Sequence, residues 1–337
     1  MNNLPPILRW LLWPLSLLYG IVVRLRLSLY ARGTFETKRL RTPVISVGNL
    51  TVGGTGKTPM VIWLAERFLA KGKRVAILSR GYKGRGETSD EIELMKYRLN
   101  ERVLFGIGAD RYEQGRRLEQ QGVDVFLLDD GFQHLQLARD VNLLLMDAAQ
   151  PLGREMLLPA GRLREPVSAM SRASLLVFTR TETSAGAAAA IGQLQGYPVF
   201  SAATRLLGFR RFGGGIQMLT RAEIGEGPFL AFCGIGNPRA FFLDLQNWQI
   251  PAAGTKAFPD HHRYTASEVE ALKQAARAAG ARAFVTTEKD AQNLGDARFG
   301  EMPVFVAVID LEISQEAVFW ETIQAQIVAK AASRMVN

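Results

Sequence analysis

The chain has 337 residues, 47% of them hydrophobic and 22% charged, ordinary proportions for a folded protein long enough for two domains. Its single cysteine, Cys233, excludes an intrachain disulfide and a cysteine-built metal cluster. The net charge is +9, and residues 1–41 supply +6 of it, through Arg9, Arg24, Arg26, Arg32, Lys38, Arg39 and Arg41 against Glu36 alone; an excess beside an apolar segment fits an anionic membrane surface, and without zinc-finger spacing or interleaved aromatic and basic blocks it argues against a nucleic-acid partner.

The first element is ILRWLLWPLSLLYGIVVRLRLSLYARG. Trp10 to Val23 are 14 uncharged residues, followed by Arg24 and Arg26. A spanning helix wants about 20 apolar residues, and Pro14 is expected to interrupt this shorter run. Trp10, Trp13 and Tyr19 suit the headgroup zone. Residues 1–40 are therefore expected to form an amphipathic segment lying in the membrane interface, its arginines against anionic lipid. A packed core helix and a true span are the competing readings. A signal peptide is disfavoured, because YARGTFE is a poor cleavage site.

From residue 41 to 205 the pattern is strand, turn, helix, repeated. PVISVGN, RVAILSRGY, VDVFLLDDGF, VNLLLMDA, SLLVFTR and YPVFSAA read as short buried strands ended by turn residues. PMVIWLAERFLAKG reads as a helix closed by Gly72, and the alanine-rich TSAGAAAAIGQLQG as another. Alternating strands and helices imply a parallel sheet covered on both faces. Between the first strand and the first of these helices lies TVGGTGKT. Thr51, Val52, Gly53, Gly54, Thr55, Gly56, Lys57 and Thr58 have the layout of a phosphate-binding loop, with Thr51 where the usual pattern has its first glycine. Backbone N–H groups and the helix N-terminus would hold an anion, Lys57 would reach the outer phosphates, and the Thr58 hydroxyl would ligate Mg²⁺. Membrane-associated ATPase switches of this loop type carry a signature lysine at the position of Val52, and valine there argues against them. The strand VDVFLLDDGFQH delivers Asp129 and Asp130 at its carboxyl end, where such folds hold the metal.

Residues 206–227, with GFRRFGGG and EIGEGP, break this rhythm and are expected to be a linker. A smaller α/β domain should follow over 228–330, with the strand PFLAFCGIGNP, then RAFVTTEKDAQNL and MPVFVAVIDLEI. The three histidines, His134, His261 and His262, all lie in turn-punctuated polar segments, DDGFQH and FPDHHRY, close to acids.

Taken in order, ISVGNLTVGGTGKTP, ILSRGY, DDGFQH, LLPAGRLREP, FCGIGNP, FPDHH and TTEKDA resemble the tetraacyldisaccharide 4′-kinase family over roughly residues 5 to 325. Members of that family resemble one another in lacking the first glycine of the loop. The resemblance implies a P-loop kinase that uses ATP and Mg²⁺ to phosphorylate an acylated disaccharide phosphate, the lipid A precursor, at the cytoplasmic face of the inner membrane, with no obligate protein partner. It implies that Asp90, in SDEIELM, is the general base on the sugar hydroxyl, and that His261 is its partner from the second domain, so that closure would bring the two together. It also implies that Asn49, Glu91, Arg111, Gln133, His134, Arg164 and Glu165 line the cleft, and that Lys289 and Asp290 match the family's C-terminal EKDA element. Two departures accompany Asp90. Ser89 and Ile92 stand where the family motif has glycine and proline, and only KGRGET remains of a longer insertion that lids the nucleotide. A membrane-bound P-loop nucleotide switch without small-molecule chemistry, and a ligase of the same fold group, are the alternatives.

Overall fold

The computed structural model describes residues 6–81, 89–148, 155–181, 196–215 and 217–336. The residues KGRGET and most of TSAGAAAAIGQLQG, read above as a shortened lid and a helix, lie outside them. Chain contacts divide the protein into two compact units. One comprises Met1–Glu87, Leu99–Ala203 and Leu311–Asn337, the other Thr88–Arg98 and Thr204–Asp310.

In the first unit the strands β1 (Val44–Asn49), β2 (Val75–Ser79), β3 (Leu104–Ile107), β4 (Val125–Asp129), β5 (Val141–Asp147) and β6 (Leu175–Thr179), with the first residues of β7 (Val199–Arg211), lie in the order β3-β2-β4-β1-β5-β6-β7. β1 pairs in parallel with β4 on one side and β5 on the other. β1, β2, β4, β5 and β6 are buried along their whole length, which is why they read as continuous apolar runs rather than as alternation. Phe126 and Leu128 of β4 pack with Tyr112 and Leu118 of α4 (Arg111–Glu119). Val125 and Leu127 then face the opposite side by the two-residue period of a strand. Helix α2 (Lys57–Ala70) lies on the same sheet and buries Met60 to Ala65 and Phe68. The strand order turns outward from β1, with β4 to one side and β5 to the other, the position where open α/β sheets bind ligands beyond their carboxyl ends.

The N-terminal helix α1 (Pro6–Ala31) runs unbroken through Pro14, contrary to the interruption expected from the sequence. Proline removes one backbone donor, but the turns on either side are fixed by contacts along one stripe. Ser16 Oγ donates to Leu157 O (3.0 Å) and accepts from Ala160 N (2.9 Å), Tyr19 hydroxyl donates to Arg164 O (2.8 Å), and Arg26 donates to Gln133 O (2.9 Å). Ser16 and Gly20 are buried on that stripe, while Trp10, Leu11, Leu18, Ile21, Val22 and Leu25 are each more than half exposed. The helix is thus inside out for a soluble protein: small and polar residues meet the sheet unit, apolar ones face away from it. Ile7–Ala31 is long and apolar enough to cross a membrane by length and composition. The opposite end of the chain, α8 (Glu316–Val336), seats Phe319 edge-on against Trp63 and Phe200 of this unit.

In the second unit β8 (Phe229–Cys233), β9 (Ala252–Ala257), β10 (Ala283–Thr287) and β11 (Val304–Ile313) lie in the order β11-β10-β8-β9, all in parallel pairs. Helices α5 (Pro238–Asn247), α6 (Ala266–Ala278) and α7 (Glu288–Asn293) accompany them. Residues 206–227 are not a free connector. β7 continues to Arg211, Phe209 and Leu219 exchange backbone hydrogen bonds (2.8 and 2.7 Å), and Phe209 and Ile224 sit in the core of this unit. The glycines that suggested a linker instead serve the reversal, and Gly208 brings its backbone where an added Cβ would lie 2.7 Å from Leu219 O.

Helix α3 (Asp90–Leu99) belongs with the second unit, not with the strands that precede it in sequence. Arg98 holds it there, donating to Glu288 (2.9 Å) and to Ile309 O (3.0 Å). Ser89, in place of the family's glycine, accepts a hydrogen bond from Ile92 N (3.3 Å), a cap for the first turn. Ile92, in place of the family's proline, is fully buried as a core side chain.

Candidate active site

The glycine-rich loop read above as a phosphate site leaves the sheet at the carboxyl end of β1 and enters α2 at Lys57. Thr51 is buried and bridges Leu163, and Val52 N donates to Arg162 O (2.8 Å). Thr51 is not among the residues with positive φ. The position therefore needs no glycine, which explains the variant first residue of the motif. Gly56 does need to be glycine: its φ is +83°, and an added Cβ would also lie 3.3 Å from Thr179 Cγ2.

Behind the loop four predicted residues come together. Asn49 ends β1, and Lys57 Nζ lies 3.3 Å from its Oδ1 and 3.7 Å from Asp130 Oδ1. Arg164 grips Asp130 with two hydrogen bonds (2.7 and 2.8 Å) and also contacts the Asn49 side chain. Partial burial disfavours the charge of Asp130, but Arg164 and Lys57 outweigh this and hold its carboxyl well below the usual carboxylate range, while its side chain stays 42% exposed. Its backbone sits at φ +46°, an uncommon conformation of the kind that collects at functional sites. Asp129 is buried at the end of β4 and accepts from Ser79 Oγ (3.2 Å). The two acids, expected together as metal ligands, have different surroundings: Asp130 is held by Arg164 and Lys57, whereas Asp129 accepts from Ser79 at the end of β4.

Gln133 donates to Asn49 O (2.9 Å), tying the DDGFQH turn to β1. His134 Nδ1 lies 3.4 Å from Arg111, and burial together with Arg111, Arg139 and Arg26 pushes its pKa down to about 4. It is a neutral imidazole at pH 7. Glu165, expected in the cleft, is fully buried and ion-paired with Arg172, whose guanidinium covers the Phe132 ring at 4.6 Å. It supports the DDGFQH turn from beneath. Thr58 is half-buried as the second residue of α2.

The second unit holds the other cluster. Asp90 begins α3, and His261 Nδ1 lies 2.9 and 3.0 Å from its two carboxylate oxygens. The pair is thus already assembled inside one unit; the expectation that it joins two domains is corrected. Asn293 donates to Asp90 (3.1 Å), as does Glu91 N (3.0 Å), and Lys289 Nζ lies 3.6 Å away. Lys289 also meets Glu91 (3.8 Å) and Asp260 (3.0 Å). Burial opposes ionisation of Asp90, but the His261 hydrogen bond and the Lys289 charge prevail and lower its pKa. The same hydrogen bond, against the opposing effect of burial, raises that of His261 above its usual value. Asp90 is 5% exposed in its side chain and His261 45%, so the histidine is the accessible member. His261 has φ +60°. Its neighbour His262 is spoken for otherwise, stacked on Phe258 (4.8 Å) and paired with Glu268 (3.0 Å).

The motifs around this cluster are scaffolding. Asp290, fully buried, accepts from Gly234 N (2.6 Å), Tyr264 hydroxyl (2.7 Å) and Thr287 Oγ1 (2.6 Å). His261 N donates to Gly234 O (3.2 Å). FCGIGNP, FPDHH and TTEKDA therefore form one knot that presents His261. Asn293 and Asp260 are contributors that motif reading passed over; Asn293, one helical turn beyond Lys289, was open to discovery by its spacing.

The family model described as Tetraacyldisaccharide-1-P 4′-kinase, LpxK, matches residues 8–328 of the chain. The chain belongs to this family. A curated member from Geobacter metallireducens, named tetraacyldisaccharide 4′-kinase, is 44% identical over 321 residues, 90% of this chain and 94% of that one. Another with the same name, from Parvibaculum lavamentivorans, is 38% identical over 307 residues, covering 88% and 84%. Among solved structures, LpxK from Aquifex aeolicus in complex with ATP is similar at a TM-score of 0.75 and 34% identity, over 95% of this chain and 99% of that one. Family membership agrees with the parallel α/β architecture and with the order of motifs along the chain.

Proposed function

We propose that this kinase binds ATP and Mg²⁺ at its phosphate loop, transfers the γ-phosphoryl group to the 4′-hydroxyl of a tetraacyldisaccharide 1-phosphate to give lipid IVA, and works at the cytoplasmic face of the inner membrane. The observation that carries the reading is the Asp90–His261 hydrogen bond. A nucleotide switch has no use for a base aimed at an alcohol, whereas a sugar hydroxyl must lose its proton to attack a phosphoryl group. The Asp90–His261 pair takes that proton, Asp90 as acceptor and His261 sharing it, while Asn293 and Lys289 keep the carboxylate oriented.

In the first unit the loop amides and Lys57 grip the nucleotide phosphates. To do so Lys57 leaves Asn49 and Asp130, and Arg164 then remains to balance Asp130. Arg111, Gln133 and His134 stand at the same end of the sheet for substrate contacts. The donors present suit Mg²⁺, a hard ion that takes oxygen ligands and binds through one or two side chains plus substrate phosphates. Thr58 and Asp129 are the residues to hold it; Asp130 is engaged by Arg164. When bound, the ion draws off charge from the outer phosphates.

The deciding assay is transfer of label from γ-³²P-ATP to tetraacyldisaccharide 1-phosphate. Phosphorylated glycolipid is the expected product. ADP release driven by vesicles alone, with no labelled lipid, supports the switch reading instead.

Helix α1 is proposed as the membrane contact. An exposed apolar strip of this extent on one helix marks an interaction surface. Because its inner stripe is bonded to Leu157, Arg164 and Gln133, the helix would carry the lipid surface to the edge of the DDGFQH cluster. Replacing Trp10, Leu11, Leu18 and Ile21 together by serine is expected to abolish co-sedimentation with vesicles containing anionic phospholipid. The same variant should raise the KM for the disaccharide at least tenfold and leave the KM for ATP unchanged, since each buried apolar side chain is worth about 1.5–3 kcal/mol.

A further inference from the structure

We propose that Arg180, with Thr179, is a positioning residue for nucleotide binding: it holds the outward carbonyls of the phosphate loop and so aims the loop's amides. This rests on the reading of residues 51–58 as the ATP-phosphate loop. β6 ends at Thr179, and Arg180 follows at φ +60°, an uncommon backbone for a long side chain. That turn sends its guanidinium back over the loop, where one nitrogen donates to Gly54 O (2.7 Å) and the other to the buried carboxylate of Asp147 (2.8 Å). Thr179 Oγ1 donates to Thr55 O (3.2 Å), and its methyl group is the atom nearest to where a Cβ on Gly56 would stand.

Peptide planarity converts these contacts into amide orientation. The carbonyl of Gly54 and the N–H of Thr55 share one trans peptide plane and point opposite ways, as do the carbonyl of Thr55 and the N–H of Gly56. Fixing both carbonyls outward fixes both N–H groups toward the concave side, where an anion binds. Packing alone does not do this. Among the described residues an added Cβ on Gly53 or Gly54 would meet nothing within 4 Å, so side-chain packing at these two positions does not set the loop. Asp147 balances the charge of Arg180, which suits a residue that orients the amides rather than one that neutralises phosphate.

The test is steady-state kinetics with ATP and tetraacyldisaccharide 1-phosphate varied separately, together with inhibition by inorganic tripolyphosphate. The variants are Arg180→Ala, Arg180→Lys, Thr179→Val and Lys57→Ala. In Arg180→Ala the KM for ATP and the inhibition constant of tripolyphosphate should rise together by about tenfold, the loss of one charge-assisted hydrogen bond. The KM for the disaccharide should not move. Arg180→Lys, able to reach one acceptor, should recover part of the loss, and Thr179→Val should show a smaller rise of the same kind; these two carry the test if the alanine variant does not fold. An unchanged KM for ATP overturns the proposal. So does a rise for ATP with no change for tripolyphosphate, which would place Arg180 against the nucleoside. If Lys57→Ala also binds both normally, the phosphate-loop reading fails with it; loss in Lys57→Ala alone overturns only the role of Arg180.

Discussion

Lys57→Ala should lower kcat/KM for ATP by about 10²–10³-fold, the scale on which removing one preorganised electrostatic donor acts. The folded protein itself should lose little. Lys57 touches Asn49 and, at 3.7 Å, Asp130, but Arg164 already holds Asp130 through two shorter bonds. Deleting the lysine therefore leaves no buried acid without a cation. The melting temperature should shift by only a few degrees, the response to about 1 kcal/mol in a protein of this size. Lys57→Arg should be nearly as inactive as alanine, because a planar fork cannot replace a compact ammonium among backbone amides. A variant that keeps more than a tenth of wild-type kcat/KM would show that the loop does not grip the transferred phosphoryl group.

The parts of this site that were legible in the sequence are the ones whose chemistry is local. A strand, a glycine turn and a helix sit next to one another along the chain, so Lys57 and Thr58 could be placed from spacing alone. The paired acids after VDVFLL were equally plain, because a strand end is visible as an apolar run that stops. What could not be seen is how each acid is used. The separation of Asp130 from Asp129 depends on Arg164, 34 residues away, and no periodicity connects them. The same limit affected the fold. Asp90 follows the strands of the first unit in sequence, and chain order alone points to that unit; Arg98, reaching Glu288 and Ile309 O across 190 and 211 residues, places α3 in the second unit. Glycines misled in one place, at 206–227, where they mark a tight reversal within a core rather than a loose connection. Pro14 misled in another, since tertiary hydrogen bonds from Ser16 and Tyr19 outweigh a local helix breaker.

Asp90→Asn should reduce kcat by about 10²–10⁴-fold, the usual contribution of a positioned general base, and the pH dependence should identify its partner. In the wild type, Asp90 titrates below its ordinary value and His261 above its own. At acid pH the pair holds an extra proton as imidazolium and carboxylate and cannot accept another. It becomes competent when His261 loses that proton. The acid limb of kcat/KM should accordingly lie above 6.5 rather than in the carboxylate range, and it belongs to the pair rather than to either residue. The stability linkage has the opposite sign for the two groups. His261, with its raised pKa, favours the folded state fully below about 6.5, and this is lost as pH rises through the raised value; Asp90, with its lowered pKa, favours it above about 3.9, and this is lost on acidification through the lowered value. His261→Gln keeps a hydrogen-bond donor near Asp90 but removes the titrating ring. Its rate should fall, and its acid limb should move down into the carboxylate range, now reporting Asp90 alone with a pKa higher than in the wild type, because the charged donor is gone. A limb that stays above 6.5 in His261→Gln would assign the titration to another group, and full turnover at saturating substrate would remove His261 from the proton path altogether.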